Sequence, residues 1–345
     1  NRWAVTPRII QWEWRGYDKS INLIEGAAMF GVSHFGISFD AEGRKPVDGL
    51  EDFTIDSKGQ VDSNIADRFY SLNSGTYYLI ANVDKAQNWT ALKSEAIRFE
   101  VAVARNYWES SPNIIRWKYD GFDATINLIT AVPHFGETVT FSIISKRGAT
   151  EADDVIVIDK LIINERGEAQ GLTAAELAKL EGGKTYYLKA VVERKSAGFV
   201  DGDTSKPIYN YTQMSQYVEF HIQISNNYWT QTPNIERWIA GEEPSAPTGI
   251  PRWGEAVFVI YDEKTNEIIF NSNEDINKLA EAKPGWYRIE AMVEGNDNYT
   301  SLTSVTRFKV FATEMNFWNI IPNIQGWAEG QPHNVPIAKA AFGNI

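Results

Sequence analysis

The sequence predicts an all-β chain built from tandem β-sandwich domains, and three observations support this fold class. A twelve-residue pattern, N-x-W-x-x-x-P-x-I-x-x-W, occurs four times in the 345 residues. Segments rich in β-branched and aromatic residues alternate with turn signals roughly every 8–12 residues. Each full repeat also has a glycine-led strand carrying tyrosine, which follows a short stretch of helical spacing.

The repeated motif predicts the domain organisation, because internal periodicity is a better guide than length. The motif divides the chain into repeat 1 (1–105), repeat 2 (106–226, with an insertion at about 149–168), repeat 3 (227–315) and an incomplete fourth repeat (316–345). About 90 to 120 residues is enough for a domain with one core. The fourth copy is too short for that, and stops where its second core strand is expected to begin.

The first repeat is predicted to consist of short strands around one brief helix. Apolar residues at helical spacing, Ile65, Phe69 and Leu72, favour a short helix within 63–72. The closing segment alternates apolar and polar residues, as a half-buried strand does. The predicted strands of repeat 1 are 20–24, 35–39, 76–83 and 97–103.

The second and third repeats follow the same order. In repeat 2, Thr173 and Glu176 predict a capping box at the start of a helix over 173–180, which Gly182 and Gly183 end. The predicted strands of repeat 2 are 126–129, 139–141, 155–158, 161–163, 184–192 and 218–224. Repeat 3 is predicted to have strands at 253–261, 285–293 and 306–310, with a short helix or turn within 273–283.

About seven short strands per repeat, with one short helical crossover, is the signature of an immunoglobulin-like sandwich. The tyrosine that follows the glycine (Tyr77, Tyr186 and Tyr287) matches what a tyrosine corner looks like in sequence. A β-grasp-like fold or a partly open barrel is the alternative.

Charge and cysteine content exclude several classes of function. Lys and Arg number 33 against 45 Asp and Glu, a net charge of −12, which argues against nucleic acid and anionic membrane surfaces as partners. The absence of cysteine excludes a disulfide scaffold and thiol chemistry, and it favours a bacterial exported protein or a cytosolic one. No signal peptide is visible, so we expect any targeting segment to be removed or to lie outside this sequence. No apolar run approaches the ~20 residues that span a bilayer.

The four motif copies supply the candidate functional residues. They are Trp3, Pro7, Ile9 and Trp12; Trp108, Pro112, Ile114 and Trp117; Trp229, Pro233, Ile235 and Trp238; and Trp318, Pro322, Ile324 and Trp327. Each first tryptophan follows the preceding closing strand almost directly, so we expect it at or near a domain junction, where it stiffens the joint. The isoleucine is expected in the core, and the proline at a strand edge or start.

The second tryptophan of each motif has two possible positions. It lies three residues after the isoleucine, and on a regular strand such residues face opposite sides. Either a bulge turns both side chains inward, or Trp12, Trp117, Trp238 and Trp327 lie on the outer surface. An outward row would suit stacking on a glycan or contact with a protein.

Other motifs point to structure rather than chemistry. Asn-aromatic-Thr triplets at 88–90, 210–212 and 298–300 favour a turn with a packed aromatic, with a glycan acceptor as the alternative. His34 and His134 occupy equivalent places in different repeats, and no pattern predicts a metal site. The acidic pairs, and the Asp201–Asp203 and Asn296–Asp297 segments, are expected to be solvated loops. We expect no enzyme activity and no cofactor.

The motif, the Gly285-Trp286-Tyr287 strand and the 297–300 segment together resemble bacterial immunoglobulin-like repeats of large surface proteins, chiefly of Gram-positive gut bacteria. The resemblance covers essentially the whole chain, although repeats 1 and 2 depart from the common form, with Ile-Asn-Leu-Ile in place of a proline-rich segment. It implies an extracellular stalk at the cell wall, between a ligand-binding tip and an anchor, neither of which is visible here.

The leading hypothesis is therefore a spacer in an adhesin, a nearly rigid row of about 100–120 Å if each domain spans about 35–40 Å. Its partners would be the flanking domains of the same polypeptide. One alternative is a module that binds a host or cell-surface glycan or protein. Another is a self-assembling filament or lattice subunit that associates through 316–345, where Ile324, Trp327 and Phe342 need apolar partners.

Overall fold

The computed structural model describes residues 1–20, 23–136, 138–200, 204–272, 274, 276–312, 318–324 and 336–340. Over these residues, strands form several small, mostly antiparallel sheets, and helices are few and short. The predicted fold class is confirmed: the chain is all-β and consists of tandem immunoglobulin-like sandwich domains.

Repeat 1 places a core between two sheets. Its elements are β1 (Trp3–Ile9), β2 (Trp12–Glu13), β3 (Ile24–Ala28), β4 (His34–Ser38), α1 (Ser63–Ser71), β5 (Gly75–Val83), β6 (Leu92–Lys93) and β7 (Ile97–Ala102). β1 pairs with β3, and the second sheet has the order β2-β7-β5-β4, with β6 beside β5. The side chains of Trp12, Phe35 and Phe69 are buried together in this core. Asp62 caps α1 by accepting hydrogen bonds from the backbone of Asn64 and Ile65.

A strand break explains the odd spacing between the motif isoleucine and the second tryptophan. Ile9 ends β1 and pairs with Ile24, whereas Trp12 begins β2 and pairs in parallel with Val101 of β7. The chain therefore passes from one sheet to the other between the two residues. Their side chains can both contact the core, although a continuous strand would direct them to opposite faces.

Repeat 2 has the same plan with extra strands. Its elements are β8 (Trp108–Ile114), β9 (Ile129–Pro133), β10 (Val139–Lys146), β11 (Val155–Ile158), α2 (Gly171–Leu177), β12 (Thr185–Val192), β13 (Ser196–Phe199), β14 (Pro207–Tyr209) and β15 (Met214–His221). The sheets pair β8 with β9, β13 with β14, and β11-β10-β12-β15 in that order.

Repeat 3 is the shortest of the three. Its elements are β16 (Trp229–Asn234), β17 (Thr248–Pro251), β18 (Val257–Asp262), β19 (Ile268–Asn271), a 3-10 helix (Ile276–Glu281), β20 (Gly285–Val293) and β21 (Leu302–Val310). β16 pairs with β17, and the other sheet has the order β19-β18-β20-β21. In the fourth copy, β22 (Trp318–Asn323) pairs with β23 (Ile337–Ala340).

Several predicted boundaries are wrong, and each has a local cause. α2 begins at Gly171, so Thr173 is not its N-cap; the buried Thr173 hydroxyl instead accepts a hydrogen bond from Ile162 N at 2.9 Å. The predicted strand at 161–163 is only a bridge between Ile163 and Ala169. In repeat 3, the strand begins at Val257, after a left-handed turn at Gly254.

The strands predicted at 20–24 and 126–129 also begin later than expected. β3 starts at Ile24 and β9 at Ile129, the last residue of each predicted range. Residues 21 and 22 lie outside the described part of the chain.

The tyrosine corner is confirmed in two repeats. The Tyr77 hydroxyl donates to Asn73 O at 2.9 Å, and the Tyr287 hydroxyl donates to Lys283 O at 2.7 Å. Burial raises the pKa of Tyr77 to about 12, and it also raises the pKa of Tyr287. Both hydroxyls are therefore protonated donors at neutral pH.

The chain divides into two compact units. The first comprises Asn1–Ile115, Asp123–Leu177 and Thr185–Phe220, and the second comprises Arg116–Phe122, Ala178–Lys184 and His221–Ile345. Repeat 2 contributes to both, and the domain boundaries taken from the motif stay a prediction.

Candidate functional site

The second motif tryptophan is buried, so an outward-facing row of these side chains is wrong for the described copies. Trp12, Trp117 and Trp238 are 9%, 7% and 6% exposed. Trp12 stacks on Phe99 with ring centroids 5.5 Å apart, and Trp238 lies 5.4 Å from Phe308. Folding hides them because the strand break turns each toward the core. Trp327 lies outside the described residues.

The other motif residues also pack within the repeats. Trp3 and Trp229 contact the hydrophobic core of their own repeat, and Trp108 is half-buried. Ile114 and Ile235 are buried, and Ile9 is partly buried against its core. Pro7, Pro112 and Pro233 are buried within β1, β8 and β16. In the fourth copy, Trp318 belongs to β22, and Pro322 and Ile324 are exposed.

A buried asparagine of repeat 2 forms hydrogen bonds with repeat 1, within the first unit. The side-chain oxygen of Asn210 accepts a hydrogen bond from Ser74 N at 2.8 Å, and its amide nitrogen donates to Asn73 Oδ1 at 2.9 Å. Asn210 is 7% exposed. A glycan on this amide is therefore incompatible with the structure, and its role is to satisfy buried polar groups across the joint.

The backbone adds a second set of bonds at the same joint. Ala104 N donates to Asn210 O at 2.9 Å, and Thr212 N donates to Ala104 O at 3.0 Å, so Ala104 pairs in parallel with Tyr211. Thr212 Oγ1 accepts from Asn106 N at 3.0 Å. The triplet thus binds the segment that leads from one repeat into the next.

An aromatic cluster completes this joint, which we call junction 1 (Trp14, Asn73, Ser74, Ala104, Phe135 and 210–212). The Trp14 ring lies 5.0 Å from Phe135 and 5.9 Å from Tyr211, and Tyr211 stacks on Phe135 at 5.8 Å. Aromatic pairs at such distances contribute about 0.5–1.5 kcal/mol beyond the area they bury. Trp14 lies two residues after the second motif tryptophan and belongs to no repeated motif.

The same backbone arrangement recurs within the second unit, where it joins a part of repeat 2 to repeat 3. Asn298 Oδ1 accepts from Gly182 N at 2.7 Å. Ser225 N donates to Asn298 O and Thr300 N donates to Ser225 O, both at 3.0 Å. Thr300 Oγ1 accepts from Asn227 N at 3.1 Å.

Aromatic and charged side chains surround this second joint, which we call junction 2 (Tyr119, Asp120, Gly182, Ser225, Arg252, Trp253 and 297–300). Tyr119 lies 6.1 Å from Trp253, and Trp253 stacks on Tyr299 at 5.9 Å. Asp120 accepts from Arg252 at 2.7 Å and from the Trp253 indole N–H at 3.3 Å. The hydrogen bond and charge of Asp120 raise the pKa of Arg252.

In the second and third motif copies, the first residue makes hydrogen bonds at the surface that contacts the preceding repeat. The amide nitrogen of Asn106 donates to Phe135 O at 3.0 Å, and its oxygen accepts from Phe135 N at 3.0 Å. Asn227 makes the same pair of bonds with Trp253, at 2.9 and 3.2 Å. The motif asparagine therefore fixes the aromatic ring against which the triplet tyrosine stacks.

A left-handed glycine follows that ring in both repeats. Gly136 and Gly254 have φ of 98° and 79°. A Cβ on either would lie 2.7 Å from a valine methyl, that of Val192 in β12 for Gly136 or that of Val293 in β20 for Gly254. Only glycine fits this turn without strain.

A charged cluster surrounds Lys189 of β12. Lys189 Nζ is 3.1 Å from Asp154 Oδ2 and 3.2 Å from Glu151 Oε2, and the Tyr217 hydroxyl donates to Asp154 at 2.9 Å. Burial opposes ionisation of Asp154, but Lys189 and Tyr217 outweigh it and hold the pKa of Asp154 below its usual value. The pKa of Lys189 is raised, because its acidic partners outweigh burial. Both groups are charged at neutral pH and paired with each other, so neither is a free base or nucleophile.

His34 and His134 belong to separate local pairs. His34 Nδ1 lies 3.0 Å from Asp52, and His134 Nδ1 lies 2.7 Å from Glu109. In the part of the chain that the structure describes, no three His, Asp or Glu side chains converge as metal ligands. Among the same residues, no helix is long and apolar enough to cross a membrane. Asp201–Asp203 and His333 lie outside the described residues.

Comparison with protein-family models gives no match to this chain, and comparison with curated proteins gives none either. Among solved structures, the chain is similar to Drosophila N-cadherin EC1-4, with 10% identity over 90% of this chain and 76% of that one, at a TM-score of 0.24. It is also similar to Sidekick-1 immunoglobulin domains 1–5, with 13% identity over 94% of this chain and 61% of that one, at a TM-score of 0.19. Sidekick-1 domains 1–4 give 13% identity, 93% and 77% coverage, and a TM-score of 0.19. Likeness at these scores carries no conclusion about function.

Proposed function

We propose that this chain is a structural spacer in an extracellular bacterial surface protein and supports adhesion by holding other domains away from the cell wall. The observation that carries the proposal is the recurrence of one joint. At both junctions, the side chain of a triplet asparagine accepts a hydrogen bond from a backbone N–H of the preceding repeat. A parallel backbone bridge lies beside this hydrogen bond. A spacer needs such joints, because a flexible linker would not transmit position.

The joint supports this role because it limits rotation through several directional contacts at once. Two backbone hydrogen bonds flank the bridge residue, the buried Asn210 links two residues of the preceding repeat, and Trp14 packs beside them. Each bond is worth only about 0.5–1.5 kcal/mol. Together they favour one orientation of consecutive repeats.

The test uses the absence of cysteine, which allows two spin labels to be placed without removing native thiols. Asp67→Cys in α1 and Glu176→Cys in α2 lie on exposed helical positions of the first unit. Pulsed electron paramagnetic resonance should give one narrow distance distribution between them. Asn210→Ala combined with Trp14→Ala should broaden it. A broad distribution in the otherwise native chain would contradict the spacer proposal.

The alternative of a glycan- or protein-binding module using motif tryptophans loses its basis, because three of the four are buried. A glycan array would still test it, and an array without a hit would count against it. The alternative of self-assembly depends on 316–345, most of which lies outside the described residues. Sedimentation of the full chain over a range of concentrations tests that alternative directly.

A further inference from the structure

The end of repeat 1 that carries Asn1 repeats the receiving surface of repeats 2 and 3. The amide nitrogen of Asn1 donates to Phe30 O at 2.7 Å, and its oxygen accepts from Phe30 N at 3.2 Å. The Asn1 amino group donates to Thr90 Oγ1 at 3.3 Å, as Asn106 N does to Thr212. The polar bonds of the receiving side of the joint are therefore in place.

The aromatic part of that surface is also assembled. Trp89 stacks on Phe30 with centroids 6.3 Å apart, as Tyr211 does on Phe135. Gly31 follows Phe30 in a left-handed conformation, with φ of 86°. Asn88 precedes Trp89 at the position of Asn210 in the triplet.

What differs is that this surface is uncovered. Asn88 is exposed, whereas Asn210 is buried. Met29, Phe30 and Val32 are 47%, 53% and 63% exposed, and the Phe30 ring stacks on Trp89. Among the described residues, no backbone pairs with the C=O of Asn88 or the N–H of Thr90 in the way Ala104 pairs with 210 and 212. Adjacent exposed apolar side chains with open backbone groups mark an interaction surface.

We propose that this entry surface (Asn1, 29–32 and 88–90) binds the end of another immunoglobulin-like repeat of the same type, joined directly ahead of Asn1. The partner would place a backbone N–H on Asn88 Oδ1, an extended residue beside Trp89 and an aromatic ring on Phe30. Trp14, Ser74 and Ala104 provide this chemistry at junction 1. The inference rests on the proposed spacer function and extends its joint to a third place.

The test extends the full chain by a further copy of 1–105 placed directly before Asn1. One spin label lies at Asp67→Cys of the added copy and the other at Asp67→Cys of repeat 1. We expect a narrow distance distribution that is lost when repeat 1 carries Asn88→Ala and Phe30→Ala. The pair of labels across junction 1 is the matched control, and its distribution should stay narrow in that variant.

A second extension, made with 106–226 in place of 1–105, guards against an added copy that fails to fold, and circular dichroism checks the strand content of both. Broad distributions for both folded extensions, with a narrow one across junction 1, would overturn this inference and leave the spacer proposal standing. A broad distribution across junction 1 as well would overturn both. Dimers of the unextended chain that Asn88→Ala abolishes would show that the occupant is a second copy instead.

Discussion

Junction 1 and junction 2 use the same backbone contacts but different side chains. At junction 1, Trp14 packs on Phe135 at 5.0 Å beside a buried Asn210. At junction 2, Tyr119 lies farther from its partner ring, at 6.1 Å, and the ion pair of Asp120 with Arg252 lies beside it. The backbone bridge and the triplet asparagine are therefore the constant elements, and the surrounding side chains vary.

A further charged contact is found at junction 2 and distinguishes it from junction 1. Lys184 Nζ lies 3.2 Å from Asp297 Oδ2 at junction 2, and both side chains are about half-exposed or more. Exposed ion pairs contribute little and are screened by salt. We infer that junction 1 is held mainly by burial and junction 2 partly by charge.

The largest expected effect on stability comes from Gly136 and Gly254, the left-handed glycines at equivalent places beside junction 1 and junction 2. Gly136→Ala and Gly254→Ala should each lower the local free energy of unfolding by about 3 kcal/mol, because a left-handed backbone and overpacking against valine each cost about 1–3 kcal/mol. Amide hydrogen exchange of β12 and β20 measures this. Gly171→Ala is the matched control, since its φ is +52° and no atom lies within 4 Å of the added Cβ. Equal effects at Gly136 and Gly171 would show that packing against Val192 is unimportant.

Substitution of the triplet asparagines should give the second-largest effect. Asn210→Ala leaves the buried Ser74 N–H without its acceptor, which costs about 1–3 kcal/mol. Exchange of the Ser74 amide should accelerate about tenfold or more, since about 1.4 kcal/mol corresponds to a factor of ten. Asn298→Ala should accelerate the Gly182 amide less, because Asn298 is only half-buried.

Each asparagine variant serves as the control for the other. Asn210→Ala should leave the Gly182 amide unchanged, and Asn298→Ala should leave Ser74 unchanged. If either variant accelerated both amides, the change would be a general loss of stability and the two joints would not be independent.

The aromatic contacts of Trp14 at junction 1 and Tyr119 at junction 2 are expected to differ in their contribution to stability. Trp14→Ala should destabilise junction 1 by about 1–2 kcal/mol, because it removes the tilted contact with Phe135 and its buried area. Tyr119→Ala should have a smaller effect at junction 2, where the rings are farther apart. Exchange of Ser74 and Gly182 reports the two effects, and Trp14→Phe should retain most of the native protection. An equal or larger effect for Tyr119→Ala would reverse the comparison.

The smallest expected effect is electrostatic. Arg252→Ala should slightly accelerate exchange of Gly182 at low ionic strength, and rising salt should remove the difference from the native chain, because Arg252 and Asp120 are both substantially exposed. Ser74 at junction 1 should not respond to either change. A salt response of equal size at Ser74 would show that charge does not separate the two joints.

The sequence predicted the elements that depend on local pattern. β20 has the predicted bounds, 285–293, and β5 and β12 each begin one residue away from theirs. These strands alternate strongly or are rich in aromatic and β-branched residues, so few competing structures exist. The predicted helix start at Thr173 is wrong, although the segment has the capping pattern. The Thr173 hydroxyl instead accepts a hydrogen bond from the backbone N–H of Ile162.

The candidate site was less accessible to sequence reasoning. Asn210 and Ser74 are 136 residues apart, and nothing in either segment names the other as a partner. Trp14 was missed because the residue type at its position varies between repeats. Tyr119 and Ala240 lie at the equivalent position in the next two repeats. The usable signal is the triplet, which recurs at one place in three repeats; taken alone, it predicts only a local turn.

The sequence by itself determined the repeat, the spacing of the strands and the apolar positions within the regular strands, because hydrophobic periodicity acts within a dozen residues. Tertiary structure alone decided where the second motif tryptophan faces, since a break after Ile9 moves Trp12 to the opposite sheet. It also decided what the triplet asparagine does. An amide can donate and accept in several directions, and only the folded chain brings the Ser74 N–H within 2.8 Å of Asn210.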